Sequence, residues 1–256
     1  MIEIRTPAEI DQMRAAGSFV ASVLEATRDF AAVGVNLLEI DALVHKMIRE
    51  RGAESCYIDY HPSFGGSPFG KVICTSVNDA VLHGLPHDYV LQDGDLLSLD
   101  FAAKVDGWVC DSAITVSVGT PRPEDTRLIE VTQRALDAGI AATVVGNKIG
   151  DISAAIGDVA HAAGLSVNLD FGGHGVGREM HGDPHIANDG RRKRGLPLRA
   201  GLVFAIEPWF LQTTDEIYTD DDGWTLRSVD GSRGAHIEHT VAITDDGPLI
   251  LTARSS

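Results

Sequence analysis

Apolar residues recur with a helical period from the start of the chain. After Pro7, the positions Ile10, Met13, Phe19, Val20, Val23 and Leu24 fall at helix spacing. Pro7 suits a first turn, where its missing N–H costs no bond, and Gly34 is expected to stop the helix. A second helix is predicted from about Leu38 to Arg51, with Ile40, Leu43, Val44, Met47 and Ile48 apolar and Gly52 at its end. Residues 55–75 lose this period, are rich in Gly, Pro and Ser, and read as a surface loop. A β pattern follows to about Val118. Helices return at about 124–144 and 151–163, and Gly-rich loops and strands complete the chain.

Helix–helix–strands thus occurs twice, which suggests an internal repeat. A shift of 112 positions lays Gly34, Ile40, Ala42 and Gly52 on Gly146, Ile152, Ala154 and Gly164 without a gap. The alternative is that two amphipathic helices align by chance. The repeat reading predicts one domain over residues 1–256, with α/β halves of roughly 1–120 and 121–256 facing each other across a pseudo-two-fold. A cleft between them is the natural place for a site.

Between Leu96 and Val118 the chain carries a strong hairpin signal, Asp106-Gly107. A two-residue type I′ turn needs positive φ at both central positions, which these residues tolerate. Val105 then faces Trp108, Asp100 lies opposite Ala113, and Asp111 lies opposite Ala102. Both aspartates leave the same sheet face as diagonal neighbours, roughly 7–8 Å apart at the backbone. A strand Asp usually faces solvent. A pair this close needs a cation between its carboxylates, or one of them must hold a proton.

Composition narrows the possibilities. The chain has 256 residues, 44% of them hydrophobic, enough for a core without disulfides or a structural metal. With 21 Lys+Arg against 37 Asp+Glu, the net charge of -16 argues against nucleic-acid or membrane-surface binding. Cys56, Cys74 and Cys110 form no CxxC pair or disulfide framework, as suits a reducing compartment. The first residues lack a signal-peptide pattern, and no apolar run approaches the roughly 20 residues that span a bilayer. A soluble, cytoplasmic protein is expected.

Three further segments carry candidate chemistry. Phe171 to Gly177 sets His174 among four glycines, which strip away bulk and let backbone and substrate approach the imidazole. His181 and His185 follow. A histidine is more often a surface or core residue than a ligand; the glycine frame sets His174 apart from that, and His181 and His185 less so. Leu202 to Pro208 reads as a buried strand ending at Glu207, and Ala235 to Ile243 places Glu238 in a β-rich run. A buried carboxylate would need a partner, such as an arginine or a metal, unless it sits at a strand end in water. Taken together, Asp100, Asp111, His174, Glu207 and Glu238 supply four negative charges and one imidazole. That set matches two divalent ions: Mn, Co, Fe or Zn. Two adjacent ions activate water and polarise a carbonyl, the logic of dimetal hydrolases.

The order and spacing of these residues resemble the type I methionine aminopeptidases of the pita-bread fold. The resemblance runs from the first helices to Thr240. It rests on Ser76-Val77-Asn78, His83-Gly84-Leu85-Pro86, Asp100 with Asp111, Gly173-His174-Gly175, Glu207-Pro208 and Glu238-His239-Thr240. It implies an α/β fold with two pseudo-symmetric halves around a central, mainly antiparallel sheet, and removal of the initiator methionine. In that pattern Asp100 chelates one metal, His174 and Glu207 serve the other, and Asp111 and Glu238 bridge both. Glu207 also takes part in proton transfer, His83 hydrogen-bonds near the scissile amide, and His181 steadies the carbonyl oxygen. Phe69, Cys74, Met180 and Trp224, with the two histidines, would hold the substrate. The implied partners are N-termini of nascent proteins and peptides with a small second residue, and transiently the ribosome.

The sequence departs from the family in two places. The usual FHE reads Met180-His181-Gly182, and the stretch before Cys74 is replaced by Gly65 to Gly70. Both changes bear on substrate fit. Two other functions stay open: a proline-specific aminopeptidase or dipeptidase of the same fold, and a non-catalytic binding protein. Non-catalytic relatives typically lose metal ligands, whereas this chain keeps all five.

Overall fold

Reciprocal caps decide where the first helices begin. The computed structural model describes residues 2–62 and 67–254. Its helices are α1 (Pro7–Phe30), α2 (Leu37–Arg51), α3 (Pro123–Ala141) and α4 (Ile149–Ala163). At the head of α1 the Thr6 hydroxyl accepts from the Glu9 N–H, and the Glu9 carboxylate accepts from the Thr6 N–H. Asn36 and Glu39 do the same for α2, so that helix starts one residue before the predicted Leu38. Helix α1 ends short of Gly34, because Ala31 has already left the helical region (ψ 104°) and Gly34 belongs to the turn beyond. Helix α3 stops at Ala141 rather than 144. Helix α4 starts two residues early, where the Asp151 carboxylate accepts from the Lys148 N–H. Helices α2 and α4 share a length of 15 residues, and each ends on a left-handed glycine, Gly52 or Gly164.

The strands of the first part are β1 (Glu54–Ser55), β2 (Cys74–Val77), β3 (Ala80–Leu82), β4 (Leu96–Val105) and β5 (Trp108–Ser117). After α4 come β6 (Gly173–Gly175), β7 (Gly182–Ile186), β8 (Val203–Ile206), β9 (Trp209–Leu211) and β10 (Ile217–Thr219). The chain closes with β11 (Leu226–Ser228), β12 (Gly234–His236), β13 (His239–Thr244) and β14 (Gly247–Ile250). Strand β4 pairs with β5 along one edge and with β1 and β2 along the other. The larger second sheet runs β14-β13-β8-β6-β7, and two small sheets, β10-β11-β3 and β12-β9, flank the site. Every ladder among the described residues is antiparallel, as the pita-bread expectation has it.

The two large sheets meet at one seam. Ala113 of β5 and Glu238 exchange backbone hydrogen bonds of 3.0 and 3.4 Å. The Thr240 hydroxyl accepts from the Asp111 N–H and donates to the Asp111 carbonyl. Each sheet has its own cover. Met13, Val20 and Leu24 of α1 pack with Ile40 of α2, Phe101 and Trp108. Leu128 and Leu136 of α3 pack with Ile152 and Ile156 of α4, Phe204 and Val241. Burial of each such side chain contributes about 1.5–3 kcal/mol relative to exposure, which holds the seam between two rigid layers. No helix among the described residues is long and apolar enough to cross a membrane.

The described residues of 55–75 do not form a plain surface loop, contrary to the sequence reading. Tyr57, Phe69, Val72 and Ile73 are buried. Their aromatic and branched side chains remove more apolar area from water by folding under the first sheet than a solvated loop would. Of the Gly65 to Gly70 departure, Gly65 and Gly66 lie outside the described residues.

Candidate dimetal site

The hairpin turn forms as its chemistry requires, with Asp106 at φ +52° and Gly107 at φ +78°. Asp100 consequently pairs with Ala113, and Asp111 with Ala102. The period-2 parity sends both carboxylates to one face, where they meet Glu238 from across the seam. One ligand oxygen from each of Asp100, Asp111 and Glu238 lies within 4.8 Å of the others.

A second group forms beside the first. His174 sits in β6, between β7 and β8. Two of the glycines around it are required by strand packing. A Cβ at Gly173 would lie 2.3 Å from the Ala205 carbonyl oxygen, and one at Gly175 would lie 2.0 Å from that of Asp183. Glu207 follows the end of β8, where Pro208 interrupts the strand. His174 Nε2 stands 3.4 Å from Glu207 Oε1 and 3.9 Å from Asp111 Oδ2. His174, Glu207 and Glu238 make a second set of ligand atoms within 4.8 Å of one another. The two sets share Glu238, and Asp111 reaches toward both.

Electrostatics show what the cluster needs. Burial, then the Asp100 and Glu207 charges, push Asp111 well above the usual carboxylate range. Glu238 moves the same way through burial and the charges of Asp111, Glu207 and Asp100. Burial also opposes ionisation of Glu207, but His236, His174 and His181 outweigh it and bring its pKa down to about 2. Asp111 Oδ1 and Glu238 Oε1 are buried without a hydrogen-bond partner. Hard oxygen donors in excess, one imidazole and orphaned buried acceptors fit two divalent cations.

The same shifts set an expectation for stability. Stripping divalent ions from the protein is expected to lower Tm by about 5–10 °C. A ligand at a hundred times its Kd adds roughly 2.7 kcal/mol, and each kcal/mol moves a chain of this size by about 2–4 °C. Raised acids bind protons that the unfolded chain does not, so Asp111 and Glu238 make the stripped protein less stable as pH rises above about 4. Glu207 has the opposite sign: its contribution is present above the ordinary glutamate pKa and is lost as pH falls toward 2. The gap between loaded and stripped protein should therefore widen from pH 5 to pH 8. Calorimetry at both pH values checks this; a gap that shrinks would contradict it.

All the predicted site residues line one cavity: the five metal candidates, His83 and His181, and Phe69, Cys74, Met180 and Trp224. His83 takes a left-handed backbone (φ +53°) directly after β3, and its ring stands edge-on to Phe171. Gly84 holds the turn, donating to Ser76 Oγ and accepting from the Thr75 N–H. Burial lowers the His83 pKa. His181 lies at the exposed mouth with its ring centroid 4.3 Å from that of His174. Loss of water around its ring, then the neighbouring His174, lowers its pKa to about 3, so it is neutral at pH 7.

Sequence reasoning missed several lining residues. His236 Nε2 stands 3.5 Å from Glu207 and 3.8 Å from Glu238. The alternation His236-Ile237-Glu238 could have revealed it, because residues two apart in extended chain share a face. Tyr57 donates its phenol hydrogen to Asp100 Oδ1 at 2.7 Å, and Tyr60 packs against His181 and Trp224. No periodicity marks either tyrosine.

Comparison with known proteins agrees with this geometry. The profile of Metallopeptidase family M24 matches residues 11–245. Methionine aminopeptidase 1 of Mycobacterium tuberculosis is 47% identical over 97% of this chain and 94% of its own length. The crystal structure of methionine aminopeptidase from Thermotoga maritima superposes with a TM-score of 0.94 at 37% identity, covering 99% of this chain and 100% of that one. Prolidase from Pyrococcus furiosus has the same fold, with a TM-score of 0.79 at 23% identity over 99% of this chain and 66% of its own. With its ligand sets converging on one cavity and its sequence matched almost end to end, the chain belongs to metallopeptidase family M24.

Proposed function

We propose that this chain is a metal-dependent aminopeptidase that removes the N-terminal methionine from proteins and peptides. The observation that carries the reading is the pair of ligand sets sharing Glu238, set beside an apolar pocket of aromatic, thiol and thioether side chains. Asp100, Asp111 and Glu238 would hold one divalent ion; His174, Glu207 and Glu238 would hold the other. When bound, such ions activate water and polarise the scissile carbonyl.

The chain's own residues do the rest. Glu207, ionised at neutral pH, accepts the proton of the attacking water. Neutral His181 donates a hydrogen bond to the carbonyl oxygen as charge develops there, and His83 bonds near the scissile amide. The free amine of a chain end, unlike a peptide nitrogen, has a lone pair it could offer to a bound ion, which would select chain ends. Phe69, Cys74, Met180 and Trp224 take the methionine side chain, whose sulfur gains from aromatic edges. The partners of this reading are N-termini with a small second residue, met in the cytoplasm and transiently at the ribosome. Three free cysteines suit that compartment. The two halves facing each other at the seam form one catalytic domain.

A peptide assay tests the reading. Protein loaded with Co²⁺ or Mn²⁺ is expected to release methionine from Met-Ala-Ser at least about 10²-fold faster, in kcat/KM, than alanine from an Ala-Pro peptide, because a pocket built for a long thioether gains little from a methyl group. Preference for Ala-Pro would establish the proline-specific alternative, and binding without cleavage would establish a non-catalytic protein.

A further inference from the structure

Asp100 belongs to one ligand set only, the one it forms with Asp111 and Glu238. One donor from the pocket wall reaches its carboxylate: the Tyr57 hydroxyl lies 2.7 Å from Oδ1, while Cys74 pairs with Asp100 across the β2–β4 ladder.

Tyr57 is held in this place from both sides. Strand β1, just before it, pairs with Ala103 and Lys104 of β4, the strand that carries Asp100. Ser55 Oγ accepts from the Tyr57 and Ile58 N–H groups, and the Tyr57 carbonyl accepts from Tyr60. The residue is 6% exposed; its ring tilts against Phe69 at 5.6 Å, and Phe69 stands edge-on to Trp224 at 5.2 Å. One side chain therefore forms pocket wall with its ring and restrains a ligand carboxylate with its hydroxyl.

We infer that Tyr57 is a positioning residue for one of the two ions: its phenol fixes the orientation in which Asp100 offers its remaining lone pairs. The inference rests on the proposed dimetal assignment. A carboxylate free to rotate loses orientation each time a cation binds, and a fixed hydrogen-bond donor removes that cost in advance.

The test is Tyr57→Phe, which keeps the ring and removes only the phenol oxygen. Metal-stripped wild type and variant are titrated with Co²⁺ alone, followed by calorimetry and by the visible cobalt absorption. The expected result is a loss of about 10–100-fold in affinity for one ion, with the other unchanged. In turnover, kcat recovers at saturating Co²⁺ and KM for Met-Ala-Ser stays within about twofold, because no ground-state contact with substrate is lost. Tyr57→Leu, which also deletes the ring, should show the same affinity loss together with a higher KM. Unchanged affinity for both ions in Tyr57→Phe, or equal weakening of both, overturns the inference. The cobalt titration needs no turnover: a wild type that binds two ions without cleaving Met-Ala-Ser would sink the proposed activity and leave the role of Tyr57 to be judged on the titration.

Discussion

Asp111→Asn is expected to lower kcat/KM on a methionine peptide by about 10³-fold or more. The carboxylate stands at the junction of both ligand sets, 3.9 Å from His174 Nε2 and grouped with Asp100 and Glu238. Asparagine keeps the shape but removes one of the charges that make two divalent ions tolerable at this spacing. Metal-assisted catalysis contributes several kcal/mol to such a barrier, and each 1.36 kcal/mol is tenfold in rate. The same substitution should raise the Tm of the stripped protein, since a buried acid pushed well above its usual range by burial and like charges is replaced by a neutral amide. Steady-state kinetics, metal content and calorimetry on one preparation decide the matter. Full turnover in the variant would remove Asp111 from the site, and a fall in stripped-state Tm would mean that the aspartate serves the fold.

His181→Ala should lower kcat by about 10²–10³-fold while leaving KM and metal content close to wild type. That is the scale of removing one donor aimed at a developing oxyanion. A neutral imidazole keeps one N–H to give, and with its pKa lowered to about 3 the ring stays neutral through the working range. Its contribution to kcat should therefore show no inflection between pH 5 and 8. The geometry offers a competing role, because one His181 nitrogen lies within 4.8 Å of ligand atoms of Asp111 and His174. Metal analysis separates the two. Loss of an ion in the variant would make His181 a ligand, and an effect confined to KM would leave it a substrate contact.

These residues differ in how far the chain itself announced them. Asp100 and Asp111 could be read from Asp106-Gly107 alone, because a two-residue turn sets the pairing and the pairing sets the face. Glu207 could be placed at a strand end from Pro208. Their meeting with Glu238 depends on hydrogen bonds across more than a hundred residues, between Ala113 and Glu238 and between Asp111 and Thr240; charge matching and the family resemblance suggested it, but no local pattern fixes it. His236 was legible in principle, through its alternation with Glu238. Tyr57 was not, since it lies in a stretch without periodicity whose inward turn is decided by the layer it packs against.

The amino-acid sequence by itself determined the helices to within a few residues of their ends, the parity of the aspartate hairpin and the kind of ion its acids could hold. These depend on backbone torsions and on hydrogen bonds between residues a few positions apart. Only the tertiary structure decided that the glycines flanking His174 make room for neighbouring strands, that Tyr57, Tyr60 and Phe69 wall a pocket, and that a tyrosine hydrogen-bonds Asp100. Those outcomes depend on which distant surfaces exclude water together, and the burial of a side chain is a property of its neighbours in space rather than along the chain.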